Sequence, residues 1–206
     1  RKIDFSGMSA MAMIAIIMDL RDFTGLDLSY KDGELVYGRN EDGNAVSISD
    51  NFSATARDML IGAIDHEERV TVTSTFEGSR ARNENIGPES GMTVMMDRSQ
   101  IGCFVRGTSN DLDSRTMGYG MTFLHELGHT KIGGNRRDYY DFESHGLFGQ
   151  TGPNVDYMNQ IRRELGSRFG ERFSYPSRKR IIPFSLNSFN EMINNKIPHR
   201  SYIRTN

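Results

Sequence analysis

Apolar residues recur at helical spacing in some segments of the chain and alternate with polar residues in others. Helical spacing predicts α-helices, and alternation with β-branched residues predicts strands. The predicted helices cover residues 7–22, 53–65, the region around 122–130, 154–165 and 186–195. The predicted strands cover 35–37, 45–48, 70–76, 92–96 and 101–105, as two hairpins (35–48 and 92–105) around the strand at 70–76. This order of helix, strands, helix, strands and helices predicts an α+β fold.

Composition and charge narrow the class of protein. A chain of 206 residues without repeats fits a single domain that buries a real core. Its net charge of −2 gives no general attraction to nucleic acid or to acidic membranes. Cys103 is the only cysteine, so no intrachain disulfide forms, and we expect a buried thiol in the strand 101–105.

The most apolar run covers residues 8–18 and lies near the start of the chain. It is too short to span a bilayer, and no small-residue cleavage site follows it. We therefore expect a buried or partner-facing helix. The chain begins with an arginine, so we expect it to be a C-terminal fragment of a longer polypeptide.

The segment 122–130 carries the clearest chemical motif, His-Glu-x-x-His. His125 and His129 are four residues apart, so on a helix they project from one face and can share one Zn²⁺. Glu126 is then placed to act as general base on a water bound to the same metal. Apolar neighbours on the other side of this helix agree with burial of that side.

A catalytic zinc site normally has three protein ligands and one open position. In the metzincin pattern the third ligand is a histidine six residues after the second one, but Asn135 stands there. A long irregular stretch follows, including the acidic and aromatic residues 138–143, and a loop of that length is usually functional or disordered. The candidates considered for the third ligand are Glu143, His145, Asp156 and Glu164.

Two downstream segments carry a resemblance to a known family. They are Thr-Gly-Pro-Asn-Val-Asp-Tyr-Met-Asn-Gln-Ile-Arg-Arg-Glu-Leu-Gly at 151–166 and Arg-Phe-Ser-Tyr at 172–175. Together with the motif at 125–129 they resemble the effector-type zinc metallopeptidases of bacteria. These occur as injected effectors and as C-terminal toxin-like domains of RHS-repeat polymorphic proteins. The resemblance implies a zincin-like fold, in which a small mixed or antiparallel sheet packs against the active-site helix and a downstream helical part.

The same resemblance implies a protein or peptide substrate, a carrier or immunity protein as partner, and secretion or delivery into a target cell. Among the four candidates we favour Asp156 as third ligand, in the first turn of the downstream helix, where the helix dipole keeps a carboxylate ionised. Its alternative role is to complement that helix terminus. Arg172 and Tyr175 are candidates to donate a hydrogen bond to the oxyanion. Their alternative role is packing and salt-bridging of the C-terminal segment.

The predicted function is hydrolysis of peptide bonds by zinc-activated water, with Glu126 as general base. The edge strand expected to bind an extended peptide is 92–96 or 101–105. Two other functions stay open. One is a non-catalytic, degenerate peptidase fold whose N-terminal helix binds a partner, and the other is hydrolysis of a different amide, such as a peptidoglycan peptide.

Overall fold

The computed structural model describes residues 3–84, 91–138, 151–173 and 182–185. Within these ranges the chain is a mixed α and β protein with five α-helices and a small central sheet, compatible with the α+β fold expected. The helices are α1 (Ala10–Thr24), α2 (Ala54–Asp65), α3 (Arg98–Gly107), α4 (Tyr119–His129) and α5 (Gly152–Leu165). The strands are β1 (Ile3–Gly7), β2 (Leu28–Lys31), β3 (Glu34–Tyr37), β4 (Arg69–Thr75), β5 (Arg80–Glu84) and β6 (Gly91–Asp97).

The central sheet has four strands in the order β1-β4-β6-β5. β1, β4 and β6 are parallel, whereas β5 runs antiparallel to β6 and forms one edge. Val70 and Val72 in β4 and Val94 in β6 are fully buried, as expected for inner strands with helices against the sheet. β2 and β3 form a separate hairpin around Asp32 and Gly33, both at positive φ.

The core lies between this sheet and the helices α1 and α4. Phe5 of β1 and Phe123 of α4 are almost fully buried, with ring centroids 5.9 Å apart. α4 contacts α1, α5, β5 and β6, so it is surrounded by elements from both halves of the chain. A helix in this position has few ways to move, and the side chains on its one open face are held firmly.

Most predicted helices are confirmed within a few residues, and their ends have identifiable causes. Ser9 caps α1 by accepting a hydrogen bond from the backbone N–H of Ala12 (3.3 Å), and Gly25 ends that helix at φ 62°. Ser53 caps α2, as the sequence predicts, with Oγ 3.0 Å from the Ala56 nitrogen. The strand predicted at 70–76 is β4.

The strand and hairpin predicted around residues 101–105 are wrong. Asp97 ends β6 and caps a helix instead, since its Oδ1 accepts hydrogen bonds from the backbone N–H groups of Ser99 (2.9 Å) and Gln100 (3.0 Å). Cys103 therefore lies on α3, half-buried, and not in a strand. The Asp97 cap favours a helix here, and a short apolar run such as 101–105 is compatible with either a strand or a helix.

The strand predicted at 45–48 is also absent. The chain does return after the turn at 40–43, but only isolated bridges form, between Arg39 and Ala45 and between Leu26 and Ser47. The helix predicted at 186–195 lies outside the described residues. In the part of the chain that the structure describes, every helix is too short or too polar to cross a bilayer.

Candidate metal centre

α4 places His125 and His129 one turn apart on its open face. The two imidazole centroids are 5.0 Å apart and the ring planes stand at 85°. At the start of this helix, Asp19 of α1 accepts a hydrogen bond from the backbone N–H of Gly120 (2.8 Å). A side chain on Gly120 would meet Asp19 at 2.4 Å, so a glycine is needed for α1 to approach this closely.

A tight turn after α4 folds the chain back over the end of the helix. Arg136 donates its backbone N–H to the carbonyl of Gly128 (2.9 Å), and Asn135 donates to that of Thr130 (2.8 Å). Gly134 and Asn135 both have positive φ (97° and 49°), which reverses the direction of the chain. The turn brings Asp138, nine residues after His129, to the face of α4 that carries the histidines.

Three side chains converge where this turn meets α4. Oδ2 of Asp138 lies 3.0 Å from Nε2 of His125 and 2.9 Å from Nε2 of His129. The Asp138 side chain is fully buried, and both histidines are mostly buried. Among the described residues, neither Asp138 oxygen has a donor in hydrogen-bonding geometry. A buried carboxylate without hydrogen bonds is costly unless a cation compensates it.

The protonation of His129 points to the same cation. Its Nδ1 lies 2.7 Å from the carbonyl oxygen of Arg136, and a carbonyl only accepts, so Nδ1 carries the hydrogen. In a neutral imidazole, Nε2 then presents a lone pair to the Asp138 carboxylate. Two acceptors at 2.9 Å repel each other unless a metal ion lies between them or Nε2 itself is protonated. His125, His129 and Asp138 therefore form a group that can hold a metal ion.

Electrostatics in the group follow from burial and from these close approaches. Burial raises the pKa of Glu126, against the opposing effect of the two histidines. Burial alone would also raise the pKa of Asp138, but the two imidazoles hold it well below its usual range. For His129, burial would lower the pKa, and the Asp138 carboxylate outweighs that effect and raises it.

α5 supports the centre from behind. Asn154 donates its Nδ2 hydrogen to the backbone oxygen of His125 (3.0 Å), and the same atom lies 3.3 Å from Nε2 of His129. The approach requires Gly128, since a Cβ there would lie 2.1 Å from Oδ1 of Asn154. The edge strand β5 supports the turn from the other side, where Asn83 accepts from the backbone N–H of Lys131 (2.9 Å).

Glu126 lies between two cavities and is 7 % exposed. The first cavity has a volume of about 150 Å³ and also contacts His125. The second has a volume of about 610 Å³ and runs between β5 and the turn, past His129. Glu126 therefore lines both cavities beside the residues that can hold a metal ion.

The structure does not bring Asp156 to the histidines. Asp156 is exposed, and its carboxylate accepts a hydrogen bond from the hydroxyl of Thr151 at the start of α5. This is the alternative role considered for it, and the candidate third ligand is corrected from Asp156 to Asp138. Glu126, His125 and His129 lie together as the motif predicts.

The other candidates also lie elsewhere or outside the described residues. Glu164 accepts hydrogen bonds from Ser53 Oγ (2.6 Å) and Thr55 Oγ1 (2.7 Å), so it stabilises the start of α2 and not the metal group. Those hydrogen bonds outweigh burial and lower the pKa of Glu164. Glu143, His145 and Tyr175 are outside the described residues. Arg172 lines the smaller cavity together with His125 and Glu126.

The predicted peptide-binding strands need correction as well. Residues 92–96 belong to β6, which is paired on both sides and cannot accept another strand. Residues 101–105 are helical. The edge strand beside the site is β5, whose Arg80 and Ala81 line the larger cavity.

Comparison of the chain with protein-family models, with curated proteins and with solved structures found no match.

Proposed function

We propose that this protein is a zinc-dependent endopeptidase, with His125, His129 and Asp138 as metal ligands and Glu126 as general base. The observation that carries the proposal is the convergence of one buried carboxylate oxygen on two imidazole nitrogens of a His-Glu-x-x-His helix. The resemblance of the sequence to bacterial effector-type metallopeptidases supports it. It extends the proposal to a toxin-like protein that is delivered to act on a protein target.

The donor set favours zinc. Two imidazoles and one carboxylate with a fourth position open are typical of catalytic zinc, whose bonds to nitrogen and oxygen are about 2.0–2.2 Å long. Tetrahedral angles then give ligand atoms roughly 3.3 Å apart, close to the distances of 2.9 and 3.0 Å here. Zinc bound there would lower the pKa of a coordinated water and polarise a carbonyl group.

The residues around the metal group supply the remaining steps. In this proposal Glu126 would accept the proton of the attacking water and return it to the leaving amine. Burial raises the pKa of Glu126, in the direction that such a proton-transfer role requires. Arg172, which lines the same cavity, is the candidate donor of a hydrogen bond to the developing oxyanion. Among the described strands β5 is an edge of the sheet, and an extended peptide could add to it as a further strand.

The architecture is consistent with a zincin-like fold. The sheet is mixed, its antiparallel strand β5 forms the edge beside α4, and α5 packs behind the histidines. In this proposal α4 is the active-site helix, and the turn from Thr130 to Asp138 replaces the longer connection to a third ligand on a downstream helix.

Metal analysis and one substitution test the function. The purified protein is expected to contain about one zinc per chain that a chelator removes. Wild type is expected to cleave peptides of a proteome-derived library, and Glu126→Gln to retain zinc while losing about 10²–10⁴-fold in rate, the usual contribution of a general base. Normal cleavage by Glu126→Gln contradicts the assigned role.

One surface feature supports the alternative of a non-catalytic interaction module. Met11, Ile14 and Met18 of α1 recur at helical spacing and are 72 %, 52 % and 62 % exposed. An exposed apolar helix face of this kind often marks a protein-binding surface. Absence of zinc from the protein, together with absence of cleavage, would favour this alternative over the peptidase.

A further inference from the structure

The larger of the two cavities beside Glu126 is a cleft with arginines on both of its walls. Arg80 contributes from the edge strand β5, and Arg136 and Arg137 contribute from the turn after α4. The volume of about 610 Å³ lies within the range of about 300–1,000 Å³ that is usual for ligand pockets. Among the described residues that line the cleft, Glu126 is the only acid. The lining therefore carries a net positive charge, although the whole chain has a net charge of −2.

Arg136 is held in place by contacts that orient its charge without neutralising it. Its guanidinium lies over the ring of Tyr157, 3.6 Å from the centroid, and donates a hydrogen bond to the backbone oxygen of Gly133. A ring face and a carbonyl oxygen both attract a cation, but neither carries a full negative charge. Within the described ranges, no carboxylate forms an ion pair with Arg136. A ligand carboxylate is thus free to bind an arginine that is already oriented.

The other two arginines are also accessible to an anion. Arg137 is exposed, and no carboxylate in the described part of the chain forms an ion pair with it. Arg80 does have a carboxylate partner, since Oε2 of Glu77 lies 2.7 Å from its Nη2. The Glu77 side chain is 77 % exposed, and exposed ion pairs contribute only about 0–1 kcal/mol. A ligand can therefore compete with Glu77 for the guanidinium of Arg80.

The position of the cleft connects this charge to the metal group. The cleft runs past His129 and Glu126, so a peptide whose scissile bond lies at the metal extends its neighbouring residues along the arginines. Two unit charges 4 Å apart attract by about 4 kcal/mol at an effective dielectric constant of about 20, which is typical near a protein surface. A carboxylate in the cleft consequently gains more than an uncharged side chain of the same size.

We propose that this cleft is a subsite for acidic side chains, so that the enzyme prefers substrates with aspartate or glutamate beside the scissile bond. Arg136 and Arg137 bind such a carboxylate from the turn, and Arg80 binds it from β5. The inference rests on the proposed peptidase function and adds the substrate class. Glutamine has the size and shape of glutamate without its charge, so it is the matched comparison in each measurement.

Peptide hydroxamates test the subsite without a catalytic step, because the hydroxamate group itself occupies the zinc. The zinc-loaded protein is titrated with acetyl-X-X-Leu hydroxamate, which extends to one side of the metal, and with malonyl hydroxamate-Leu-X-X amide, which extends to the other. X is glutamate or glutamine. In one of these two kinds the glutamate compound is expected to bind about tenfold more tightly, or about 1.4 kcal/mol. The difference should decrease as the salt concentration rises, since salt screens exposed charges.

The failure of the subsite and the failure of the metal centre give different results. Equal affinity of the glutamate and glutamine compounds in both kinds overturns the subsite and leaves the metal centre standing. Absence of binding by all four compounds overturns the metal centre, and the subsite with it.

Two variants locate the effect. Arg80→Gln and Arg137→Gln change opposite walls of the cleft, and each is expected to reduce the preference for glutamate by about threefold, as for a partly exposed ion pair. The affinity for the glutamine compounds should stay as in wild type. Zinc content is measured as well, because Arg137 adjoins Asp138, and if Arg137→Gln loses zinc then Arg80→Gln decides.

Arg106→Gln is the matched control. Arg106 is exposed on α3, does not line the cleft and pairs with no carboxylate among the described residues, so its removal changes the net charge by the same amount. The preference for glutamate should be unchanged in this variant. A preference that survives Arg80→Gln in full, or that falls equally in Arg106→Gln, contradicts the assignment.

Cleavage gives an independent readout. Products from a proteome-derived peptide library are expected to be enriched in aspartate and glutamate on one side of the cleaved bond. For matched peptides, exchange of that glutamate for glutamine should lower kcat/KM by about tenfold in wild type and by less in Arg80→Gln. Cleavage that is indifferent to the exchange overturns the subsite while the peptidase function stands.

Discussion

The metal group is assembled from two kinds of backbone, a regular helix and an irregular turn. The helical part, α4, holds His125 and His129 by spacing alone and is packed on several sides. The turn from Thr130 to Asp138 holds one ligand and depends on single atomic contacts, such as the hydrogen bond from Arg136 to Gly128. The two histidines are therefore positioned by the helix itself, whereas the position of Asp138 depends on the turn.

The helix and the turn therefore owe their stability to different interactions. The helix buries Phe123, Leu124 and Leu127 completely, so its stability comes from the core and not from the metal. Among the described residues, the buried Asp138 carboxylate has no hydrogen-bond donor, which opposes this position of the turn unless a cation is present. If the group binds a metal ion as proposed, metal binding and the position of the turn are coupled, and changes in the turn should affect metal affinity more selectively than changes in the helix.

The largest effect is expected from Asp138→Asn. This change removes the only negative charge among the three ligands, and zinc affinity should fall more than about 100-fold, beyond the 10–100-fold typical of residues that only support a ligand. Asp156→Asn is the matched control, because Asp156 is exposed and bonded to Thr151. Competition with a chelating dye measures both. Equal losses, or a larger loss in Asp156→Asn, would return Asp156 to the ligand set.

A smaller but still selective loss is expected from Gly133→Ala. A Cβ at this position would lie 1.8 Å from the backbone oxygen of Leu127, so the turn must shift away from the helix. Zinc affinity should fall by about 10–100-fold, as for other outer-shell changes, while the helical circular dichroism signal of the metal-free protein is retained. Gly62→Ala in α2 is the control, since nothing lies within 4 Å of an added Cβ there. Unchanged zinc affinity would show that Asp138 does not depend on this turn.

The same contrast explains how much of the molecule the sequence predicts. The grouping of His125, Glu126 and His129 can be predicted from the sequence because a helix repeats its geometry every few residues. The amphipathic helices α2 and α5 can be predicted for the same reason. Asp138 was missed because its position depends on two residues of positive φ and on hydrogen bonds that close the turn. The available signal was Gly133-Gly134-Asn135, a set of turn residues shortly before an aspartate.

Sheet geometry shows a similar limit. The strand β4 can be predicted from its alternation of apolar and polar residues. Nothing local in the sequence indicates that β1, β4 and β6 are parallel or that β5 is an edge. The segment 101–105 was misread because a short apolar run fits a strand and a helix equally well. Nothing local in the sequence indicates that Arg162 is buried, where it donates hydrogen bonds to Thr116 and Asn159.

The smallest effect on metal binding is expected where the helical part is anchored to α1. Burial raises the pKa of Asp19 from 3.8 to about 6, against the hydrogen bond from Gly120. A carboxyl whose pKa is raised on folding adds stability that is complete below pH 4 and is lost as the pH rises through about 6. The loss is at most about 3 kcal/mol for a shift of this size.

Asp19→Asn keeps an oxygen that can accept from Gly120 and removes the charge. Its free energy of unfolding in urea, relative to wild type, should therefore rise between pH 4 and pH 7. Zinc affinity at neutral pH should stay within about twofold, because the Asp19 carboxylate contacts Gly120 in the first turn of α4 and changes away from a site usually have small effects on it. Both proteins are compared after chelator treatment, so metal release at low pH does not contribute. Asp22→Asn, an exposed carboxylate on the same helix that pairs with Arg115, is the control. A difference in the free energy of unfolding that stays constant with pH would show that α4 is not anchored by a buried acid. A large loss of zinc affinity would show that His125 and His129 are positioned no more firmly than Asp138.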